Sequence, residues 1–172
     1  MPILRGKHLN LRPMRANDAA AFAVQANDRE ISRNTISVRY PYQLKDAQSF
    51  IQKTKKYWRE RPLVHTVFGI EVDGKIVGCI GLHKIVPGHK AEIGYWLGRS
   101  YRGRGLMTEA VRLVVRYAWR LRLHRVYAFT FLWNTGSQRV LTKAGFRHEG
   151  ILRKNVKKNG RALDDHIFSI VR

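Results

Sequence analysis

Between Ala91 and Leu121 the hydrophobic pattern changes period once, and it does so across two glycines. Residues 91–98, Ala-Glu-Ile-Gly-Tyr-Trp-Leu-Gly, have the apolar and aromatic content of a strand. After Gly105, the residues Met107, Ala110, Val111, Val114, Val115, Ala118 and Leu121 share one helical stripe. A strand feeding a long amphipathic helix through Tyr101-Arg102-Gly103-Arg104-Gly105 restricts the chain to folds that pack helices on a sheet. The two glycines permit a tight turn that exposes bare amides, and the helix behind them presents unpaired N–H groups and a positive dipole end. The unit reads as a cradle for a phosphate or another oxyanion.

The rest of the chain supplies the sheet. Residues 3–14 read as a strand with a turn at Gly6-Lys7, and Asn17 or Asp18 caps a helix through Ala19–Ala26. A less regular stretch, 27–44, precedes a second helix from Asp46 to Trp58 that stops near Pro62. Two strands, 64–72 and 75–84, flank Asp73-Gly74, a hairpin signal because both turn positions need positive φ. Pro87-Gly88 turns the chain into the strand at 91–98. Beyond the long helix, 124–132 is a strand, 137–144 a short helix closed by Gly145, and two last strands, 146–154 and 162–171, flank Asn159-Gly160. The order β, α, α, β, β, β, α, β, α, β, β describes one α/β (α+β) domain, residues 1–172, with a mixed sheet and no repeat or linker.

Charge and composition limit the function. Thirty-three Lys and Arg against 12 Asp and Glu give a formal charge of +21, which favours anionic partners such as phosphates, nucleic acid or acidic proteins. A lone cysteine, Cys79, excludes an intramolecular disulfide and suits a reducing, cytoplasmic setting; in a buried strand it reads as a packed thiol. No apolar run is long enough for a membrane span, and the seven histidines show no metal-binding spacing, so neither a membrane partner nor a metal is expected.

Two familiar phosphate loops do not fit. A dinucleotide fingerprint needs a third small residue where Thr108 stands, within a parallel βαβ unit; a Walker loop needs Gly-Lys followed by Ser or Thr. The stretch Arg102–Leu106 instead resembles the acetyl-CoA pyrophosphate loop of the GNAT acetyltransferases. Ala91–Leu97 is similar to the preceding strand of the ribosomal-protein N-terminal (alanine/serine) acetyltransferase branch. Asn134-x-x-Ser137-x-Arg139-Val140-Leu141-x-Lys143-x-Gly145-Phe146 with Glu149-Gly150 is similar to that branch's later helix and strand, and Asn159-Gly160 with Asp164 extends the likeness towards the C-terminus.

The resemblance implies a GNAT fold: a mixed, mostly antiparallel sheet of about seven strands, splayed at the middle and flanked by four helices. It implies acetyl-CoA as co-substrate and no metal. It places the pantetheine arm against the backbone near Trp96 and Leu97, the pyrophosphate on the amides of Arg102, Gly103, Arg104, Gly105 and Leu106, and Asn134 and Ser137 towards the cofactor. Charge from Arg102 and Arg104 beside the phosphates fits the bottom-up reading as well.

Acetyl transfer to an amine needs a neutral nitrogen, an oxyanion donor and a proton for the departing thiolate. Glu92, on the strand expected beside the thioester, is the candidate base through a water; a plain ion pair in so basic a protein is the alternative. A tyrosine common on the last helix of the family has Thr142 in its place here, which leaves Ser137 as candidate acid, or else a serine bonded to the backbone or to CoA. Glu109 reads as a complement to its helix dipole, and Arg112, Arg116 and Arg120 as a solvated helix face or a landing site for RNA or an acidic protein. The expected function is acetyl-CoA-dependent N-acetylation of a protein N-terminus, ribosomal proteins included. Small-molecule or antibiotic acetylation and a non-catalytic CoA-sensing or RNA-binding module are the competing readings. Partners consistent with the charge are a protein N-terminus or small amine and a ribosomal, RNA or acidic-protein surface; oligomers are compatible.

Overall fold

The computed structural model describes residues 1–172 and contains one eight-stranded sheet. In chain order its elements are β1 (Leu4–Arg5), β2 (Asn10–Arg12), α1 (Ala19–Ala26), α2 (Arg29–Asn34), α3 (Leu44–Tyr57), β3 (Thr66–Val72), β4 (Lys75–Val86), β5 (Lys90–Leu97), α4 (Leu106–Arg120), β6 (Arg125–Phe131), α5 (Thr135–Ala144), β7 (Arg147–Lys158) and β8 (Arg161–Val171). The sheet order is β1-β2-β3-β4-β5-β6-β8-β7, antiparallel throughout except where β5 meets β6.

The GNAT-type architecture is present, with one strand and one helix more than the sequence patterns resolve. The turn at Gly6 divides the first segment into two short strands, because Gly6 N–H donates to Leu9 O. The additional helix, α2, lies in the stretch left irregular. Six residues with Ile31 alone buried give no periodicity to read, although Asp28 caps it by accepting from Glu30 N–H at 2.7 Å.

Two cores hold the sheet from opposite sides. On one face α4 buries the predicted stripe except Leu121, which is only partly covered, together with Leu113 and Tyr117, against Phe68, Ile80 and Leu82. On the other, α1 and α3 bury Phe22, Ala26, Ala47 and Ile51 against Val67, Ile76, Cys79 and Trp96. Strand alternation therefore sends Ala91, Ile93, Tyr95 and Leu97 of β5 towards α4, and Glu92 and Trp96 towards α1 and α3. Cys79 is buried, and that burial pushes its thiol well above the ordinary range, so it is an inert packing group.

A buried charge cluster ties β2 to the first helical turn and to β3. Arg12, 7% exposed, donates from Nη1 and Nη2 to the two Asp18 oxygens at 2.8 and 2.9 Å, and from Nε to Glu71 at 2.6 Å. Burial opposes ionisation of Asp18, but the bonds from Arg12 and from Arg15 N–H prevail and hold its carboxyl below the usual range. Removing one member of such a cluster leaves uncompensated charge. Arg12→Ala is expected to lower unfolding stability by about 3–5 kcal/mol, read from denaturant midpoints. Because the folded Asp18 pKa is depressed, its contribution is present above the unfolded carboxylate pKa and is lost as pH falls through the folded value. An unchanged midpoint would exclude this role for Arg12.

Candidate active site

The site begins where two neighbouring strands stop pairing. Strands β5 and β6 run parallel over only three positions, Lys90↔Arg125, Ala91↔Val126 and Glu92↔Tyr127. Beyond them β5 stays on β4 as far as Leu97, while β6 stays on β8 as far as Phe131. The two halves of the sheet separate into a V and leave one edge of β5 without a partner strand. Gly98 N–H bonds to Val77 O, so antiparallel alternation turns the amide groups of Trp96 and Gly94 onto β4 and those of Tyr95 and Leu97 into the opening; of the expected pair Trp96 and Leu97, only Leu97 offers its backbone there.

At the end of β5 the chain passes through a single 3-10 turn, Arg99–Tyr101, and then the glycine loop. Gly103 and Gly105 have φ of +79° and +77°, and a Cβ at either would meet nothing within 4 Å. The left-handed backbone favours glycine, and the open space above it leaves room for a ligand to approach the bare amides. None of the N–H groups from Gly103 to Thr108 finds a protein acceptor; the first bond of α4 is Glu109 N–H to Gly105 O. A run of free amides ending at the N-terminus of a fifteen-residue helix is an anion site. Arg104, exposed, leans on Tyr101 with its guanidinium carbon 5.7 Å from the ring centroid and is free to reach an anion there.

Arg102 departs from its expected place beside the phosphates. Its guanidinium donates Nε to Leu97 O at 3.0 Å, Nη2 to Asp28 at 2.8 Å and Nη1 to Glu30 at 2.6 Å, and its N–H donates to Arg99 O at 3.3 Å. Its charge is neutralised by α2, and it also occupies a carbonyl of the open β5 edge. Arg102 thus fastens the loop to α2, leaving the N–H of Leu97 as that residue's free group. Leu106 points its side chain into the core and contributes only its amide. Glu109 accepts from the N–H groups of Lys7 and His8 and pairs with His8 Nδ1 at 3.0 Å, so it anchors the β1–β2 turn to the start of α4.

Across the V, Asn134 caps α5 by accepting from Ser137 N–H at 3.1 Å. The Tyr95 hydroxyl reaches over from β5 and lies 2.9 Å from Ser137 Oγ. Burial raises the Tyr95 phenol far above its ordinary range and outweighs the opposing bond to Ser137, so the phenol stays protonated, and either hydroxyl can donate in this contact. The local sequence pattern around Tyr95 does not reveal this partner; only the parity of Tyr95, opposite to Glu92 on the same strand, hints at it. Thr142 bonds back to Gln138 O within α5.

The opposite mouth of the V is a cleft of about 1040 Å³ walled by Phe22, Tyr42, Phe50, Trp96, Tyr127 and Phe129. Trp96 is 8% exposed and meets Phe22 edge-on at 4.9 Å. Glu92 enters this cleft and accepts from Lys84 Nζ at 2.8 Å. His83, paired with Glu92 across β4 and β5, is held below the usual imidazole range first by burial and then by His65. A second carboxylate, not foreseen, lies on the far wall: Asp165 of β8 is 3% exposed and has no cation partner, only the amide of Asn155 at 3.2 and 3.3 Å. Burial raises its pKa, and Glu92 and Asp164 push the same way. An aromatic cleft with carboxylates on both walls, opening onto a strand edge that leads to an anion cradle, can hold an amine beside an extended anionic donor.

Comparison with known proteins agrees with this geometry. Residues 8–147 match the family model described as an acetyltransferase (GNAT) domain. A probable N-acetyltransferase of Bacillus subtilis, YjcK, is 36% identical over 175 residues, covering 98% of this chain and 97% of the relative. The ribosomal-protein-serine acetyltransferase of Escherichia coli is 34% identical over 105 residues, 60% of this chain and 59% of its own. Among solved structures, Mycobacterium smegmatis RimJ in complex with CoA-disulfide superimposes with a TM-score of 0.84 at 26% identity, covering 95% of this chain and 81% of that one. No helix is long and apolar enough to cross a membrane. With the splayed strands, the glycine loop and the match over most of its length, the chain belongs to the GNAT acetyltransferases.

Proposed function

We propose that this acyltransferase moves the acetyl group of acetyl-CoA to the α-amine of a protein N-terminus, with ribosomal proteins as the first acceptors to test. The observation that carries the donor half is the uninterrupted run of free amides from Gly103 to Thr108 at the head of α4, next to the open edge of β5. The pyrophosphate fits the amides of Gly103–Leu106, with Arg104 beside it, and the pantetheine arm fits the β5 edge at Tyr95 and Leu97. Asn134 orders the start of α5 against that arm.

On the acceptor side, Glu92 removes a proton from the ammonium through a water, and the neutral nitrogen attacks the thioester carbonyl. The developing oxyanion is received by a free N–H of β5. The C–S bond then breaks, the nitrogen sheds its second proton to water, and Ser137, held by Tyr95, protonates the thiolate and regains a proton from solvent. The cleft carries Asp46, Glu92 and Asp165 against Arg39, Lys53 and Lys84, so it is not a strongly acidic trap for polyamines in a protein of charge +21. Two Escherichia coli relatives, named a ribosomal-protein-serine acetyltransferase and a ribosomal protein uS5-alanine N-acetyltransferase, support ribosomal proteins as acceptors.

The nucleophile's pKa distinguishes the acceptors. An α-amine titrates near ~8 and a lysine side chain near ~10.4, and only the neutral form reacts. With peptides beginning in serine or alanine, kcat/KM is expected to rise with pH and level off near ~8. Turnover of lysine-containing, N-terminally blocked peptides in place of these, or of a polyamine or aminoglycoside alone, would overturn the reading.

A further inference from the structure

The charge of the chain is not evenly spread. From Ala110 to His148 the sequence contains eight Lys and Arg and no Asp or Glu. The fold gathers five of these on two adjacent helices. Arg112, Arg116 and Arg120 stand at successive four-residue steps on the exposed side of α4, and Arg139 and Lys143 repeat the step on α5. Arg112 joins the two ridges by donating to Lys143 O at 2.5 Å. Exposed Arg122 extends the α4 ridge past its end. None of these side chains has an acidic partner; the ion pairs of the protein lie elsewhere, apart from Arg125 with Glu149 at the margin.

Such a face opposes folding. Like charges at a spacing of four residues destabilise a helix, and a small domain stays soluble with a net charge of only about 2–8. The acetyl-CoA site accounts for the amides and Arg104 at the N-terminal end of α4, and the acceptor cleft opens on the other face of the sheet. The two ridges belong to neither. Their composition selects a ligand: five of the six cations are arginines, which suit phosphate oxygens, and neither α4 nor α5 exposes a large apolar side chain. A protein interface needs an apolar or aromatic centre, and a membrane-surface helix needs apolar residues to insert. We propose that the outer face of α4 and α5 binds the phosphodiester backbone of a nucleic acid duplex, independently of what the catalytic cleft accepts.

The test is fluorescence anisotropy with a labelled 20-base-pair RNA duplex, and a DNA duplex of the same sequence, between 50 and 200 mM KCl. The variants are R112Q/R116Q/R120Q and, as a charge-matched control on the opposite face, K45Q/K55Q/K56Q of α3, whose three lysines are also exposed. The arginine variant is expected to bind at least tenfold more weakly and to lower the slope of log K against log salt by about 2–3, while the control stays within twofold. Preference for one duplex identifies the source of the phosphates; equal binding means that the backbone alone is read. Equal losses in both variants, no loss in the arginine variant, or no wild-type binding at 100 mM KCl would each overturn the proposal. So would competition by polyglutamate as effective as by the duplex, or tighter binding to phosphatidylserine vesicles than to either duplex. The single substitution R116E, expected to act in the same direction as the triple variant, keeps the question decidable should the triple variant fail to fold.

Discussion

Replacing Gly105 by valine is expected to weaken acetyl-CoA binding at least 100-fold, about 2.7 kcal/mol, in a calorimetric titration. The loop backbone at this position has φ of +77°, and a β-branched side chain resists that region. Relaxation of the turn displaces the free amides of Gly103–Thr108, which together form the anion cradle, and the new side chain fills the space into which they point. Folding stability should fall by only about 1–3 kcal/mol, because a Cβ there meets no protein atom within 4 Å. Gly160, in the β7–β8 turn, supplies a matched control. Its φ is +78° and its Cβ position is equally open, so Gly160→Val carries similar strain far from the loop and should leave the dissociation constant unchanged. Wild-type affinity in the Gly105 variant, or equal losses in both, would remove the loop from the donor site.

What the sequence revealed and what it hid divide along the reach of the interactions. The glycine loop, the stripe of α4 and the two Gly-closed hairpins are local patterns, each set by period or by the sign of φ within a few residues, and all were readable. The splay was a different case. Nothing within β5 or β6 announces that they pair for three positions and then part; that depends on β8 taking over the edge of β6, some forty residues later. The same distance hid Tyr95, whose role depends on Ser137 across the gap, and Asp165, which reads as one of two adjacent acids until β8 folds it beside the aromatic cleft. Arg102 shows the opposite error. Next to a phosphate loop a cation invites assignment to the ligand, and only the capped helix α2, too short to be recognised, reveals that its charge is matched by Asp28 and Glu30.

Substitution of Glu92 by glutamine is expected to lower kcat by about 10²–10⁴ near neutral pH, the range associated with loss of a general base, and to change acetyl-CoA affinity little. The competing account is that Glu92 only balances Lys84, whose Nζ lies 2.8 Å away and whose pKa the bond raises. Lys84→Met separates the two. If the pair were merely structural, removing either partner would have a similar effect; if Glu92 accepts the proton, the Lys84 variant retains most of the rate while the Glu92 variant does not. The pH dependence adds a second, independent signature. Without the base, the reaction relies on the fraction of acceptor already neutral in solution, which increases through ~8 for an α-amine. In kcat, measured with acceptor saturating so that Glu92 acts on the bound ammonium, the deficit of Glu92→Gln should therefore shrink as pH rises past ~8, whereas a deficit due to distorted packing would persist. A constant deficit across pH, shared by Lys84→Met, would reduce Glu92 to an ion pair and transfer the search for the base to Asp165, the one cleft carboxylate without a cation partner.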